Sequence, residues 1–425
     1  MAKINRRQFL TFSAAGASAA IFTSCKRGKS SYSKTLGNSS LDLPQLHKST
    51  NGLLELGLQA SERPVNLDGK QADLLTYNGQ IPAPRLEAKA GDQVRIHFTN
   101  NLSQPTNIHY HGLHIPIVGN ADNVFLKIKP GDKLTYEFQI PLNHPGGTFW
   151  YHPHLHGLVA EQLFGGLAGL FIVRGELDAI PEIKAAKEEF LVLQDFALDN
   201  DGKPIDSAQM SLMAGREGDI ITINGQVNPP LSLPEAGLLR LRILNASPSR
   251  FYRLVLEDHP FYQIATDGGA LNKPIEVREL LLTPGQRAEV LVKGDSKPGK
   301  YRLLSLPYDR GSIGMMGGGM MGRNRNNRRN ESITLATLNY ESSTNSLSLP
   351  SKLTSIPQLP QPQQVRRFEL NHGMNPGVGM GFLINGEPYQ GDRLDTEVKL
   401  GTVEDWEIIN AGKTVYHCHI LDHED

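Results

Sequence analysis

Cysteine, tryptophan and long apolar runs are what this sequence has least of. Its 425 residues include two cysteines, Cys25 and Cys418, and two tryptophans. So few cysteines exclude a disulfide-stapled scaffold. No run of 18 or more apolar residues follows the N-terminus, so we expect no transmembrane span in the mature protein. The formal net charge of −1 gives no electrostatic reason to expect nucleic acid as a partner.

The first 30 residues have the features of an export signal. Asn5-Arg6-Arg7-Gln8-Phe9-Leu10 resembles the twin-arginine motif, and a weakly apolar run of small residues follows it. We therefore leave residues 1–30 out of the fold and expect the protein on the periplasmic or extracellular side. The end of this segment loosely resembles a lipoprotein cleavage box, so a lipid anchor at Cys25 is an open alternative. If the signal is removed or lipidated at Cys25, Cys418 has no disulfide partner.

Helical periodicity is scarce, and short segments with an apolar residue at every second position dominate instead. Three examples are Gln93 to Phe98, Leu239 to Leu244 and Val403 to Ile408. Such alternation, bounded by Gly, Pro and Asn, predicts half-buried strands. Many such strands at short spacing favour β-sandwiches.

One pattern occurs three times in the chain. It consists of an Asn-Gly turn, an alternating strand that ends in Asn, and a Gly-containing turn into an aromatic strand. The Asn-Gly pairs occupy positions 78–79, 224–225 and 385–386. This repeat predicts an all-β fold of three cupredoxin-like Greek-key β-sandwich domains. We place the domains at residues 48–180, 188–345 and 365–425, with a linker rich in Pro, Gln and Ser at 346–364.

The third copy of the pattern is shorter than the other two. From the Asn of the Asn-Gly pair to the final Tyr, the first two copies span 73 and 77 residues, whereas the third spans 31. The difference falls between Asn410 and Tyr416 and corresponds to several strands with their turns. We therefore expect a truncated third domain with an incomplete core and open sheet edges.

Six of the 14 histidines form three close pairs. The pairs are His109-Tyr110-His111, His152-Pro153-His154 and His417-Cys418-His419. Residues two apart in a strand point to the same face, so each pair can direct two imidazoles at one metal cluster. Imidazole is a ligand for copper, zinc, iron and nickel. One such pair is weak evidence, but three in one chain predict a metal centre.

The last pair adds a thiol between its histidines. In a strand, Cys418 points to the face opposite His417 and His419, where a thiolate can bind a second metal ion. His423 is close enough in sequence for a turn to bring it to the same ion. Cysteine and histidine with a weak axial ligand form the blue-copper site. The short covalent path from Cys418 to its neighbours suits electron transfer between a one-electron and a multi-electron site.

These motifs closely resemble those of the multicopper oxidase family, which includes laccases, bilirubin oxidases and bacterial copper-tolerance oxidases. The likeness covers nearly all of the mature chain and rests on His109 to Gly112, Trp150 to Gly157 and His417 to Glu424. It implies an enzyme that oxidises phenolic substrates or Cu(I) one electron at a time at a type 1 copper. The same resemblance implies that dioxygen is reduced to water at a trinuclear copper cluster.

The resemblance also implies a role for each residue of the motifs. His109 would bind the type 2 copper, and Cys418 and His423 would bind the type 1 copper. Asp122 and Glu424 resemble the acidic residues that supply protons to the reaction. The type 3 copper pair would be bound by His111, His152, His154, His417 and His419.

The chain departs from the family because it lacks the fourth motif, His-Pro-x-x-His-x-His. Six of the eight histidines expected at the trinuclear cluster remain, and the chain stops before the family's axial Met or Leu. Three interpretations stay open: an incomplete copy of an active enzyme, a decayed or truncated protein without oxidase activity, and a site completed by a partner chain. Two other functions also stay open. One is a copper-free exported scaffold, like the cell-division relatives that have lost their ligands, and the other is copper sequestration by the loop Met315–Met321.

The histidines outside the three pairs are expected to have other roles. We predict that those near the motifs pack or form hydrogen bonds, namely His114, His144 and His156. We expect surface or core positions for His47, His97, His259 and His372.

Overall fold

The structure is a computed structural model that describes residues 43–67, 69–205, 215–309, 331–342, 346–375, 379–390 and 393–411. The predicted export signal, the methionine-rich loop and the last histidine motif lie outside these residues, as do Cys25, His417, Cys418, His419, His423 and Glu424. Within the described part, no helix is long and apolar enough to cross a membrane. Nearly all of the regular structure is β, which confirms the predicted all-β class.

The first β-sandwich consists of two sheets. Its strands are β1 (Leu46–Lys48), β2 (Leu53–Leu67), β3 (Lys70–Tyr77), β4 (Arg85–Lys89), β5 (Gln93–Asn100), β6 (His109–His111), β7 (Lys133–Gln139), β8 (Gly147–His152) and β9 (Gly169–Arg174). One sheet has the order β1-β4-β9-β8-β6, and the other has the order β3-β2-β5-β7. Apolar side chains of both sheets, such as Phe98 and Phe171, pack into one buried core.

The second β-sandwich repeats this plan with larger sheets. Its strands are β10 (Lys187–Phe196), β11 (Ile220–Ile223), β12 (Pro230–Pro234), β13 (Leu238–Asn245), β14 (Tyr252–Leu256), β15 (Phe261–Thr266), β16 (Gly269–Val277), β17 (Leu280–Leu282), β18 (Arg287–Lys293), β19 (Lys300–Leu306) and β20 (Ile333–Glu341). The sheet orders are β11-β10-β13-β18-β15-β16 and β12-β20-β19-β14-β17. The helices found in the described ranges are short: α1 (Val159–Phe164), the 3-10 helix Glu176–Ala179 and α2 (Pro181–Ala185).

The third copy of the repeat forms a single sheet within the described residues. Its strands are β21 (Gln364–Asn375), β22 (Gly379–Ile384), β23 (Glu387–Pro388) and β24 (Glu404–Asn410), in the order β23-β22-β21-β24. The parallel pair β21–β24 matches the parallel pairs β2–β5 and β10–β13. In the first two sheets the second strand of that pair also pairs with β7 or β18. In the described part of the chain β24 is instead an edge strand, at the point where the sequence is short.

Several apolar side chains of this third sheet are exposed in the described part of the chain, and the incomplete core of the third domain stays a prediction. Phe382, Ile384 and Ile408 are each more than half exposed. We expected the strand around Val403 to Ile408 to have one buried face, and that expectation was wrong because most residues of β24 are exposed. No second sheet packs on this one among the residues described, so its alternating apolar side chains have no core to enter.

The three Asn-Gly pairs form the same hairpin turn. Asn78, Asn224 and Asn385 have φ values of 52° or 53°, and the glycine after each also has a positive φ. A two-residue hairpin needs positive φ at both central residues, which Asn and Gly tolerate best. In each copy the Asn Oδ1 accepts a hydrogen bond from a backbone N–H of β2, β10 or β21, the strand that pairs with the one leading into the turn. The sequence repeat is therefore also a structural repeat.

The two sandwiches pack against each other through buried charges as well as apolar side chains. The alternation in Leu239 to Leu244 predicted a strand with one exposed face, but every residue of β13 is buried. Arg240 and Arg242 are 2% and 0% exposed. That prediction was wrong because the charged face of β13 lies against the first sandwich. There, Arg242 donates to the hydroxyl oxygen of Thr148 on β8 at 3.1 Å.

Carboxylates surround these two arginines. Arg242 pairs with Asp178 at 2.5 Å and Glu188 at 2.7 Å, and both arginines pair with Glu289. Buried charges cost desolvation free energy that only complete pairing offsets. Burial opposes the ionisation of Glu188, but Arg242 and Arg174 outweigh it and lower its pKa from 4.5 to about 2. The ionised form of Glu188 therefore stabilises the folded protein.

We expect this network to make the stability of the protein depend on pH. The stabilisation from Glu188 is fully present above pH 4.5 and is lost as pH falls toward about 2, because protonation breaks its ion pairs. Glu188→Gln should lower the melting temperature at neutral pH. The melting temperature of this variant should also fall less steeply than that of the wild type between pH 4.5 and about pH 2. Glu55→Gln is the control. The Glu55 side chain is 43% exposed, and an exposed ion pair contributes little to stability. Equal pH profiles for Glu188→Gln and the wild type would contradict the assignment.

Candidate metal centre

Three histidines are brought together by the pairing of two strands. The antiparallel register of β6 and β8 places His109 opposite His152 and His111 opposite Trp150. Directly opposed residues share a face of the sheet, so these four side chains lie on one side. Tyr110 and Tyr151 alternate with them and enter the core of the first sandwich. Burial raises the pKa of both phenols, which keeps them protonated and neutral.

The three imidazoles form a group that can hold a metal ion. One ligand atom from each of His109, His111 and His152 lies within 4.8 Å of the others. Their exposure is only 4%, 2% and 3%, so the site is shielded from bulk water. The ring of His154 adds a fourth imidazole, 5.1 Å from the His109 ring between centroids. Four clustered imidazoles form a nitrogen donor set of the kind that copper and zinc bind.

Asp122 fixes the orientation of His109. Its carboxylate oxygens lie 2.9 and 3.0 Å from His109 Nδ1, and the pair is buried. The same carboxylate accepts a hydrogen bond from the Tyr110 backbone N–H at 2.9 Å. An ionised carboxylate only accepts, so the His109 proton resides on Nδ1 and Nε2 carries the lone pair. Such a carboxylate–histidine pair is the usual outer-shell support of a metal-ligating imidazole.

Trp150 and the Pro153 carbonyl hold the other two rings. The Trp150 ring stacks on His152 at 4.0 Å and on His111 at 5.0 Å between centroids. His152 Nδ1 donates to the carbonyl of Pro153 at 2.9 Å, which places the lone pair of that ring on Nε2. His152 Nε2 and His111 Nδ1 then face each other at 3.3 Å.

Sequence reasoning gave no role to Trp150 or to Asn107, although both support the cluster. Asn107 Oδ1 accepts a hydrogen bond from the His154 backbone N–H at 2.7 Å. Its amide donates to the carbonyls of Val124 and Leu126, so it also anchors the loop that contains Asp122. A signal existed for Trp150, which lies two residues before His152 and therefore on the same face. Asn107 precedes the strand, and no periodicity identifies its contacts.

The histidines predicted to pack or form hydrogen bonds largely do so. His144 accepts from the His114 backbone N–H at 3.0 Å and donates from Nδ1 to the Pro145 carbonyl. The His156 ring is exposed and lies 5.9 Å from the ring of Tyr389. His97 is also exposed and contacts Glu55 at 3.0 Å.

Comparison with known proteins identifies the family. Two sequence models described as multicopper oxidase match residues 59–178 and 187–343, which together cover more than half of the chain. The chain belongs to the multicopper oxidase family. Its fold is that of the cupredoxin-like structures of this copper-binding family.

Relatives within this family have two kinds of name. Multicopper oxidase mco of Staphylococcus epidermidis is 27% identical over 407 residues, which are 90% of this chain and 89% of the relative. Cell division protein FtsP of Glaesserella parasuis is 30% identical over 413 residues, which are 95% of this chain and 82% of the relative. Similarity of sequence alone therefore does not separate an oxidase from a cell-division protein.

Solved structures give the same family. A multicopper oxidase from Campylobacter jejuni, described as a metallo-oxidase, is 31% identical with a TM-score of 0.74. The match covers 88% of this chain and 78% of that one. A laccase-like multicopper oxidase from Ochrobactrum sp. is 28% identical with a TM-score of 0.71, over 87% of this chain and 82% of that one.

We expect Asp122 to control the metal affinity of the cluster. Asp122→Ala should lower the affinity for Cu(I) about 10- to 100-fold, because the His109 ring loses its orienting carboxylate. The measurement is competition with a chromophoric Cu(I) chelator, with the melting temperature of the apoprotein recorded alongside. The control is Asp132→Ala, which removes an exposed carboxylate of the same sandwich. An unchanged affinity in Asp122→Ala would show that the carboxylate does not support the cluster.

Proposed function

We propose that this protein is an exported, copper-dependent oxidase. It couples one-electron oxidation of phenolic substrates or Cu(I) to the four-electron reduction of dioxygen to water. The observation that carries the proposal is the buried cluster of His109, His111 and His152 together with its intact supporting contacts. A protein that had lost copper binding would have no physical need to keep several imidazoles buried and oriented by Asp122.

The described donors fit copper at this site. His109, His111, His152 and His154 would hold it, because imidazole is a copper ligand and because Asp122 and the Pro153 carbonyl orient the rings of His109 and His152. Copper bound there would supply one-electron redox chemistry and a site for dioxygen. In the proposal His109 serves the type 2 copper and the other three serve the type 3 pair. Outside the described residues, we propose His417 and His419 for the type 3 pair and Cys418 and His423 for the type 1 copper.

The surrounding protein excludes water from the cluster, orients its imidazoles and supplies protons. Trp150 and the core of the first sandwich exclude water from one side of the cluster. Asp122 keeps the His109 proton on Nδ1 and so directs Nε2 toward the ligand position. Reduction of dioxygen to water consumes four protons, and we assign their relay from solvent to Asp122 and Glu424, whose carboxylates each take up a proton before passing it on.

A copper-free scaffold is the second candidate function. Two observations favour it: the similarity to cell division protein FtsP over 95% of the chain, and the missing fourth histidine motif. Within residues 364–411 as described, β24 is also an edge strand, whereas the corresponding strands of the first two sheets pair with β7 and β18. The scaffold hypothesis requires no metal, whereas the oxidase hypothesis requires copper at the histidine cluster.

Copper content and oxygen consumption distinguish these functions. We expect the purified protein, incubated with Cu(I) and dialysed, to retain copper and to consume oxygen with a phenolic reductant. His152→Ala should lose both properties because it removes a buried ligand. His97→Ala should keep both properties. The His97 side chain is 52% exposed, and its strand β5 belongs to the sheet that does not contain β6 and β8. A wild-type protein that retains no copper would support the scaffold.

We also propose export through the twin-arginine motif. Replacing Arg6 and Arg7 by Lys should leave the protein in the cytoplasm, because the motif is read by an export receptor and not by charge alone. Fractionation of expressing cells and immunoblotting provide the measurement. Equal amounts of wild-type and variant protein outside the cytoplasm would contradict this route.

A further inference from the structure

Arg287 belongs to the second sandwich, but its side chain reaches the first. It is the first residue of β18 and is 1% exposed. Its Nε donates to the carbonyl oxygen of Thr148 at 3.1 Å. Thr148 lies on β8, the strand that ends at His152, so the contact anchors a strand of the histidine cluster.

The same guanidinium also lies against the other histidine strand. Gly112 follows His111 directly, and a Cβ atom at Gly112 would be 2.6 Å from Arg287 Nη2. The φ of Gly112 is +85°, a conformation that side-chain-bearing residues rarely adopt. Glycine is therefore required here both by the backbone and by the approach of Arg287. One side chain thus contacts the segments that contain His111 and His152.

Contacts within the second sandwich fix the guanidinium in this position. Arg287 Nη1 pairs with Asp267 at 2.9 Å and donates to the Gly285 carbonyl at 3.3 Å. Asp267 also accepts from the Arg287 backbone N–H at 2.6 Å. The planar guanidinium can satisfy these partners and Thr148 together, because its donors point in several fixed directions.

A second set of contacts holds β8 at the same residue. The Thr148 hydroxyl donates to Glu289 at 2.7 Å, and Glu289 is two residues from Arg287 on the same strand. The hydroxyl and the backbone carbonyl of Thr148 are therefore both bound by β18. The position of β8 relative to β6 depends on the second sandwich as well as on strand pairing.

We propose that Arg287 is a positioning residue for the histidine cluster and that the second sandwich thereby sets its metal affinity. The inference rests on the proposed copper function. Arg287 acts on the cluster through Thr148 and Gly112, which belong to the two histidine segments. Lysine in its place keeps the charge opposite Asp267, but its three donors lie on one compact ammonium nitrogen and cannot reach Asp267 and Thr148 together as the planar guanidinium does.

The test compares Arg287→Lys with Arg250→Lys in the full-length protein. Arg250 is a matched control because it pairs with Asp195 at 3.0 Å and donates to the Gly218 carbonyl, with both partners in the second sandwich. Both variants should lower the melting temperature of the apoprotein. Only Arg287→Lys should lower the affinity for Cu(I), by about 10-fold or more, and change the electron paramagnetic resonance spectrum of bound Cu(II).

Gly112→Ala provides an independent variant if Arg287→Lys does not fold. Its methyl group displaces the guanidinium, so it should also weaken Cu(I) binding. Combined with Arg287→Lys, it should cause less additional loss than it does alone, because the two changes disrupt one contact. The strain of alanine at positive φ is present in both backgrounds and cancels in this comparison.

The outcomes separate this inference from the proposed function. If the wild-type protein binds no copper, the oxidase function fails and the inference fails with it. If the wild type binds copper and Arg287→Lys binds it equally well, or if the losses from Gly112→Ala and Arg287→Lys simply add, the positioning role alone is overturned.

Discussion

The buried charges between the two sandwiches constrain the rest of the described structure. Arg240, Arg242 and Glu289 are almost fully buried, and each must keep its partners to offset the loss of hydration. Arg242 and Glu289 also bind the Thr148 hydroxyl of the first sandwich. Arg174 of the first sandwich pairs with Glu188 of the second at 2.9 Å. These crossing contacts tolerate little sliding between the sandwiches, whereas apolar contacts alone would allow more. Trp150 and Leu244 lie in the apolar cluster beside this network. Orientation is thus set by the charges, and burial of apolar area supplies the attraction.

The histidine cluster depends on that orientation because β8 belongs to both environments. Its core-facing residues pack within the first sandwich, and its outer face presents Thr148 and Trp150 to the second. His152 ends this strand, so its position follows from contacts on both faces. Asp122 and Asn107 then supply the local hydrogen bonds that orient His109 and His154. The pairing of β6 and β8 brings the imidazole rings close together. The hydrogen bonds from Asp122 and Asn107 and the contacts with the second sandwich determine the orientation of the rings.

The third sheet bears on whether this family member works as an oxidase. It repeats the hairpin and the parallel pair of the other copies, down to the hydrogen bond made by Asn385. Among the described residues β24 is its edge strand, and Phe382 and Ile408 are more than half exposed. The family's fourth histidine motif is absent from the same part of the sequence. The first sandwich therefore holds a buried group of oriented imidazoles, while the third copy lacks the segment that the other two copies have.

The sequence by itself determined the all-β class, the threefold repeat and the pairing of His109 with His111, since turn chemistry and strand periodicity are local properties. The Asn-Gly turns illustrate this, because positive φ at both positions depends on the two residues alone. Only tertiary structure decided which polar faces are buried. The alternation of apolar and charged residues in β13 would be the same whether Arg242 were exposed to water or bound to Thr148. Trp150, Asn107 and Arg287 likewise acquire their roles from residues distant in sequence. Contacts between distant segments depend on how whole sheets pack, and no local pattern encodes that packing.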